Sequence, residues 1–352
     1  MVTFLQSLPS YSFSSTVPNI IVDSNGKEVE IIVQTRSSGG DWRVVLDEKY
    51  SGKADGTIEL TALSDIADIL TRTTRRIEMS VTAIIDGETA NTTGLVLRGN
   101  VDVDTPADEW LQNHFLTTLT GIKVTAPGRK ELLHAFTSER EGTVTATVLV
   151  HGEVTSRSDN ITSSEVKDGI AVFNVGSDVV AGLLDIPVDT IVEYTFTLQS
   201  RSQTFRVLKD EVAPSAALQF VNSFGCIEYL YCTATRTAKT DITRSSMRTS
   251  GLLRNYRLQE NKTFSLLSGH LTDGMVEWAQ EVLRSLQVFL CMGGRVWREV
   301  VITESKSEIS NADDEWAAIE LSYAYSQKQH NVLYGTGSDS GIFDETFDET
   351  FE

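Results

Sequence analysis

The chain has 352 residues, too many for one ordinary core and enough for two or three domains of typical size. Its hydrophobic content of 40% excludes wholesale disorder. Forty-nine Asp and Glu against 30 Lys and Arg give a net charge of −19, a surface that repels phosphate and argues against nucleic acid as a general partner.

Much of the first 210 residues reads as short alternating strands. Val29–Val33, Ile77–Val81 and Thr143–Val148 carry period-two or β-branched character. Turn signals separate them at Ser24-Asn-Gly26, Ser38-Gly-Gly40, Ala54-Asp-Gly56 and Asp86-Gly87. Regular short strands with polar turns point to antiparallel sandwiches. An internal repeat sharpens this. Gly56-Thr-Ile-Glu-Leu60 and Gly169-Ile-Ala-Val-Phe173 are each followed, eight residues after the glycine, by a serine, Ser64 or Ser177, with Asp next. Each serine suits the N-cap of a short helix. Strands Ile77–Val81 and Gly94–Arg98 then match Val192–Phe196 and Thr204–Leu208, so the order of elements implies tandem duplication. Between the copies, Asp104-Thr-Pro-Ala-Asp-Glu-Trp-Leu111 reads as a linker or short docking element anchored by Trp110.

From about Val212 the texture changes. Leu218–Phe224 and Ile227–Cys232 read as a strand pair around Gly225. A basic stretch follows, with Arg236, Lys239, Arg244, Arg248, Arg254, Arg257 and Lys262 against Asp241 and Glu260. Three readings of it stand side by side: a nucleic-acid contact, a solvated β-hairpin or loop face, or an acceptor for acidic surface on a neighbouring subunit. The best helix covers 273–286 behind a Thr272-Asp273 cap, with Met275, Trp278, Val282 and Leu286 facing a core. Strands at 288–291, 296–303 and 317–325 complete an α+β domain. The end, Ile342-Phe-Asp-Glu-Thr-Phe-Asp-Glu-Thr-Phe-Glu352, repeats Phe343, Phe347 and Phe351 every four residues between acid pairs.

Catalytic constellations are missing: the sequence has no P-loop, no GxGxxG after a strand, no HExxH and no GxSxG. Five histidines (His114, His134, His151, His270, His330) lack metal-ligand spacing, and the acid pairs Asp47/Glu48 and Asp313/Asp314 lie in polar sequence. Cys226, Cys232 and Cys291 form no CxxC pair, which fits neither a disulfide framework nor a zinc site and suits a reducing cytoplasm. No run approaches the ~20 apolar residues of a membrane span, and the N-terminus lacks the features of a signal peptide. No catalytic, cofactor-binding or metal-binding residue is assigned, no cofactor is expected, and neither nucleic acid nor membrane is an expected partner.

Asn222-Ser-Phe-Gly225 with Glu228, the Trp278 segment leading to Ser285-Leu-Gln-Val-Phe289, Val300-Val-Ile-Thr-Glu-Ser305 and Trp316–Tyr325 resemble structural proteins, tail or tail-tip components, encoded by phages and prophages of Bacteroidetes bacteria. The pattern Tyr50…Asp55-Gly-Thr-Ile-Glu59…Asp65-Ile66 is similar to the opening domain of such proteins. The resemblance implies a virion structural role, synthesis in the bacterial host cytoplasm and assembly into a symmetric homo-oligomer. It carries no catalytic residues, and the middle domain and the tail depart from its pattern.

The expected fold is mainly β: two tandem related β-sandwich domains at 1–100 and 101–211, a smaller α+β domain at 212–334 and an acidic Phe-Asp-Glu-Thr tail at 335–352. The expected function is non-enzymatic, a connector in a phage tail, tail tip or baseplate that binds other copies of itself and neighbouring virion proteins. Partner-binding candidates are Phe343, Phe347, Phe351, Asp344 and Glu345 in the tail, and Arg244, Arg248, Arg254 and Arg257 in the basic stretch. The alternative is a carbohydrate-binding adhesion module of a virion or cell surface, with Trp42, Trp110 and Trp297 as platforms.

Overall fold

The computed structural model describes residues 2–51, 56–100, 106–208, 216–233, 236–269, 271–292, 295–306 and 317–327. The tail residues, His270, His330, Asp313, Asp314 and Trp316 therefore lie outside the described residues.

The first unit holds β1 (Thr3–Gln6), β2 (Tyr11–Phe13), β3 (Ile20–Asp23), β4 (Val29–Arg36), β5 (Arg43–Tyr50), β6 (Thr57–Leu60), α1 (Leu63–Thr74), β7 (Arg76–Ile85) and β8 (Glu88–Leu97). Two sheets form, ordered β1-β3-β6 and β2-β8-β7-β4-β5. Alternation does the sorting: along β4, Val29, Ile31 and Val33 are buried while Glu30, Ile32 and Gln34 are half-exposed. Together with Ile20, Ile58, Met79 and Val81 they fill the space between the two sheets.

The second unit opens on α2 (Ala107–Asn113) and continues through β9 (Ile122–Thr125), β10 (Leu132–Phe136), β11 (Glu141–Val150), β12 (Glu153–Thr162), β13 (Glu165–Lys167), β14 (Ile170–Asn174), α3 (Ser177–Leu184), β15 (Ile191–Leu198) and β16 (Arg201–Val207). Its larger sheet runs β9-β16-β15-β11-β12, the same arrangement as β2-β8-β7-β4-β5 when equivalent strands are matched. In both units the first strand of this sheet pairs in parallel with the last strand of the unit, β2 with β8 and β9 with β16. The antiparallel pair β3–β6 likewise matches β10–β14. Gly56 and Gly169 both precede the second strand of that pair, at φ 77° and 80°. The two sandwiches are thus related in topology. They differ in the third strand of the small sheet, which lies beside β3 in the first unit and beside β14 in the second.

The serine caps are a correction. Helix α1 starts after Ala62, whose φ is 65°, and Ser64 lies inside the first turn. Helix α3 begins at Ser177 itself, after Gly176. The buried Ser177 hydroxyl donates to the Ala126 carbonyl (3.2 Å), so it ties α3 to the loop after β9 instead of capping its own amides.

The third unit comprises β17 (Ala216–Val221), β18 (Ile227–Cys232), β19 (Thr237–Thr249), β20 (Leu252–Leu267), α4 (Asp273–Arg284), β21 (Val288–Met292), β22 (Arg295–Lys306) and β23 (Glu320–Tyr325). One seven-stranded sheet, β18-β17-β21-β22-β23-β20-β19, receives α4 on one face. Met275, Trp278, Ala279 and Val282 of the helix pack with Leu218, Phe220, Leu290 and Tyr323. Thr272 is the N-cap residue, but its hydroxyl donates to the Ile122 carbonyl of β9 (3.0 Å) and so joins this unit to the second. Leu286 corrects the expected helix face: α4 stops at Arg284, Ser285 turns extended at ψ 131°, and Leu286 is 76% exposed. All three cysteines are free and buried.

The three units meet around α2. Phe13, Leu97, Leu111, Leu116, Ile170, Phe224 and Cys226 form one apolar cluster drawn from all of them. Trp110 stacks on Phe224 (5.0 Å) and meets Phe13 edge to face (5.2 Å), the anchoring role expected of it.

Candidate functional site

Two features stand apart from ordinary core and surface: a long basic hairpin at one edge of the seven-stranded sheet, and a buried polar cluster that includes the strand at its other edge.

Strands β19 and β20 pair from Thr237↔Ser265 to Thr249↔Leu252. Ser250 and Gly251 close them with φ of 52° and 80°, the two positive values that a two-residue type I′ turn needs. Only the root is packed. There Phe264 lies on Tyr323 (5.2 Å) and Tyr325 (4.9 Å), with the Arg236 guanidinium 4.2 Å from the Phe264 ring and bonded to the Tyr325 hydroxyl (3.0 Å). Beyond Lys262 the described side chains on both faces of the ribbon are exposed, apart from a half-buried Ser245. Thirteen residues at ~3.3 Å each give an arm of roughly 40 Å.

Between 237 and 262 six cations stand against two acids, a net charge of +4 on a chain of −19, so the rest of the chain carries −23. Among the described residues the arm has one ion pair, Lys239–Asp241 at 3.5 Å. Arg244, Arg248, Arg254 and Arg257 are all exposed, and the structure brings them together on this arm as the basic stretch implied. The register divides them. Arg257 sits opposite Ser245 and Arg254 opposite Met247, on the reverse face from Arg244 and Arg248. The positive charge therefore wraps the ribbon. Met247, Leu252 and Leu253 add an apolar tip, exposed by 51%, 59% and 70%. The tail residues Phe343, Asp344, Glu345, Phe347 and Phe351 lie outside the described residues.

The second feature escaped the sequence reading. Glu228 on β18 is buried; the Trp278 indole N–H donates to its Oε2 and the Asn222 amide to its Oε1 (2.7 Å). Burial pushes its pKa from 4.5 up to about 7, with Lys123 and the Trp278 bond pulling the other way and Glu281 adding to the rise. Glu281, buried on α4, accepts the Ser223 amide (2.8 Å), and burial raises its pKa too. Lys123 sits 4.1 Å from the centre of the Trp278 ring and pairs with buried Glu131 at 2.6 Å. These groups knit the second unit to the third. The only signal for them was a lone acid inside the apolar strand Ile227-Glu-Tyr-Leu-Tyr-Cys232.

Other singled-out residues have ordinary surroundings. His114 stacks on Trp110 (5.0 Å), His151 occupies the turn between β11 and β12 at φ 49°, and burial pushes the pKa of His134 down to about 3. Asp47 and Glu48 lie on the exposed strand β5. Of the tryptophans weighed as sugar platforms, Trp110 is spent in the junction, while Arg36 covers Trp42 (4.6 Å) and Arg298 covers Trp297 (4.7 Å). Among the described residues no three His, Cys, Asp or Glu gather where they would hold a metal ion.

No family model matches the chain, and no curated protein matches it. Among solved structures, a titin fragment (Titin-A168169) is 9% identical and covers 59% of this chain and 99% of its own at a TM-score of 0.23. Titin domains I67–I69, in an E-to-A variant, are 9% identical over 91% of this chain and 87% of theirs at 0.21. The plexin A4 extracellular region is 9% identical over 94% and 37% at 0.18. At such scores the overlaps carry no argument about fold or function. The assignment to the mainly-β class, two tandem related sandwiches and an α+β unit, rests on the strand orders above.

Proposed function

We propose that this protein is a non-enzymatic structural subunit that works by being built into a larger assembly, as a connector in a phage tail, tail tip or baseplate. The observation that carries this reading is the arm: a ribbon of roughly 40 Å, uncovered on both faces and net positive on a strongly acidic chain. An element like this adds almost nothing to its own core, because beyond the root none of its described apolar side chains is buried. It gains contacts when a second surface covers it, and the oppositely charged surface nearest to hand is another copy of the same chain. The rigid junction around α2 suits such a connector, since a load on one unit passes to the other two through packed aromatic rings.

The test is the mass of the full chain in solution beside a variant in which residues 240–262 are replaced by a two-residue Asn-Gly turn, which leaves the paired Lys239 and Thr263 as its flanks. The intact protein is expected to form symmetric oligomers, visible as particles in negative stain. The armless variant should keep its fold and remain a monomer at the same concentration. If both are monomers up to high concentration, the assembly reading fails.

A further inference from the structure

A cleft of about 230 Å³ opens where the first unit meets α2, lined by Pro9, Tyr11, Thr16, Pro18, Pro106 and Asp108. Three prolines, the Tyr11 ring and Ala107 supply its apolar lining, Ser12 and Thr16 add hydroxyls, and Asp108 is its one charged lining residue. At the far end of the arm stands the reverse pattern. Leu252 and Leu253 are exposed beside Met247, and Arg248 and Arg254 flank them through the register Arg248↔Leu253 and Met247↔Arg254. The same chain therefore carries an apolar knob between cations and a largely apolar hollow edged by the Asp108 carboxylate, and its own knob does not occupy its own hollow.

Resting on the assembly reading above, we propose that the tip of the arm of one copy docks in this cleft on the next copy. Leu252 or Leu253 enters between Pro9, Tyr11, Pro18 and Pro106, while Arg248 or Arg254 meets Asp108 at the rim. Three points favour this occupant. The charges are complementary at the place of contact as well as in total. The hollow is built from ring side chains that keep their shape, so little ordering is needed to fill it. The leucines extend beyond the packed root of the arm, which lets them reach a second molecule without collision between the bodies. Such a contact joins two different surfaces and is head-to-tail, so it closes into a ring or continues as a filament, according to the rotation between copies.

The experiment uses two full-length variants on opposite sides of the contact. The tip variant carries Leu252→Asp and Leu253→Asp, in an exposed turn. The cleft variant carries Thr16→Arg and Asp108→Lys, two exposed positions that fill the hollow and invert its rim. Each alone is expected to weaken self-association at least tenfold by sedimentation, with unchanged circular dichroism. Mixed one to one, they should pair, because the tip variant keeps its hollow and the cleft variant keeps its arm, and growth should stop at the dimer. A second arm uses cysteine pairs on a background whose native cysteines are buried. Leu253→Cys protein mixed with Thr16→Cys protein should give a covalent dimer under mild oxidation, and neither should do so alone. A cleft variant that associates like the wild type overturns the docking site while leaving arm-driven assembly in place. A wild type that is monomeric throughout removes both. Tip residues that prove to be needed for binding vesicles of phosphatidylglycerol, and not for self-association, assign the knob to a lipid surface and overturn the proposal.

Discussion

Glu228 lies on a strand whose other residues are apolar, and it enters the core with an indole and an amide as donors. Its pKa rises from 4.5 unfolded to about 7 folded, chiefly through burial. A raised carboxylate holds its proton more tightly in the native state, so between those values the folded protein binds more protons than the unfolded one. Stability is therefore greater toward pH 5 and falls as pH rises through about 7, with a slope of at most about 1.4 kcal/mol per pH unit from this group. Glu228→Gln should flatten that fall, measured as the change in melting temperature between pH 5 and pH 8. An unaltered pH profile in the variant would mean that Glu228 stays ionised in the fold. Trp278, the donor to Glu228 and the largest fully buried side chain, should cost about 3–5 kcal/mol when cut to alanine, read from denaturant midpoints. Part of that loss comes from the carboxylate left without its donor.

At the scale of elements, α4 and the second unit approach so closely that a side chain does not fit between them. A Cβ on Gly274 would stand 1.8 Å from the Thr120 carbonyl oxygen, whose own amide bonds to the Gly274 carbonyl (3.2 Å). Gly274→Ala should then cost about 1–3 kcal/mol, the range for overpacking. Gly182 in α3 has open space around it, and Gly182→Ala should instead raise stability by about 0.4–1 kcal/mol. Thermal melts of the two variants side by side check the contrast, and equal effects would discount the close approach. Strands such as β4 were legible in the sequence because one face is wet and period two shows through. The duplication was legible because Gly56 and Gly169 keep their left-handed turns and each is followed by a strand and then a helix, which starts at Leu63 in one unit and at Ser177 in the other. The short strands β1, β2 and β3 were missed, since three or four residues show no period. Ser64 and Ser177 misled because an N-cap pattern specifies a residue type, and at Ser177 the hydroxyl found a partner across the fold. Leu286 continued the helical spacing past the point where Ser285 ends the helix. The arm showed its charge, and a solvated hairpin was one of three readings of it; with both faces in water there was no alternation to fix its strands.

For the whole molecule, the assembly proposed above has charge as its main lever. Contacts between a net +4 arm and an acidic body weaken as salt is added, since exposed pairs are screened beyond a Debye length of about 8 Å at physiological ionic strength. Oligomers of the full chain should therefore shrink as sodium chloride rises from 0.05 to 0.5 M (roughly a threefold cut in Debye length), measured by sedimentation. Insensitivity to salt would point to an apolar interface alone. A chain ending at Tyr334 keeps every described core residue and should still fold, and should assemble less well on the proposal that Phe343, Phe347 and Phe351 dock on a neighbour. Equal oligomers from the shortened chain would remove that proposal. The parallel pairings have a different consequence, one for biosynthesis. In each sandwich an early strand waits for the last strand of its own unit, β2 for β8 and β9 for β16, and for nothing later in its sheets. Each sandwich is therefore complete as soon as its closing strand leaves the ribosome. The first unit can finish folding while the second is still being made, which leaves two sandwiches of similar pattern less occasion to exchange strands during synthesis.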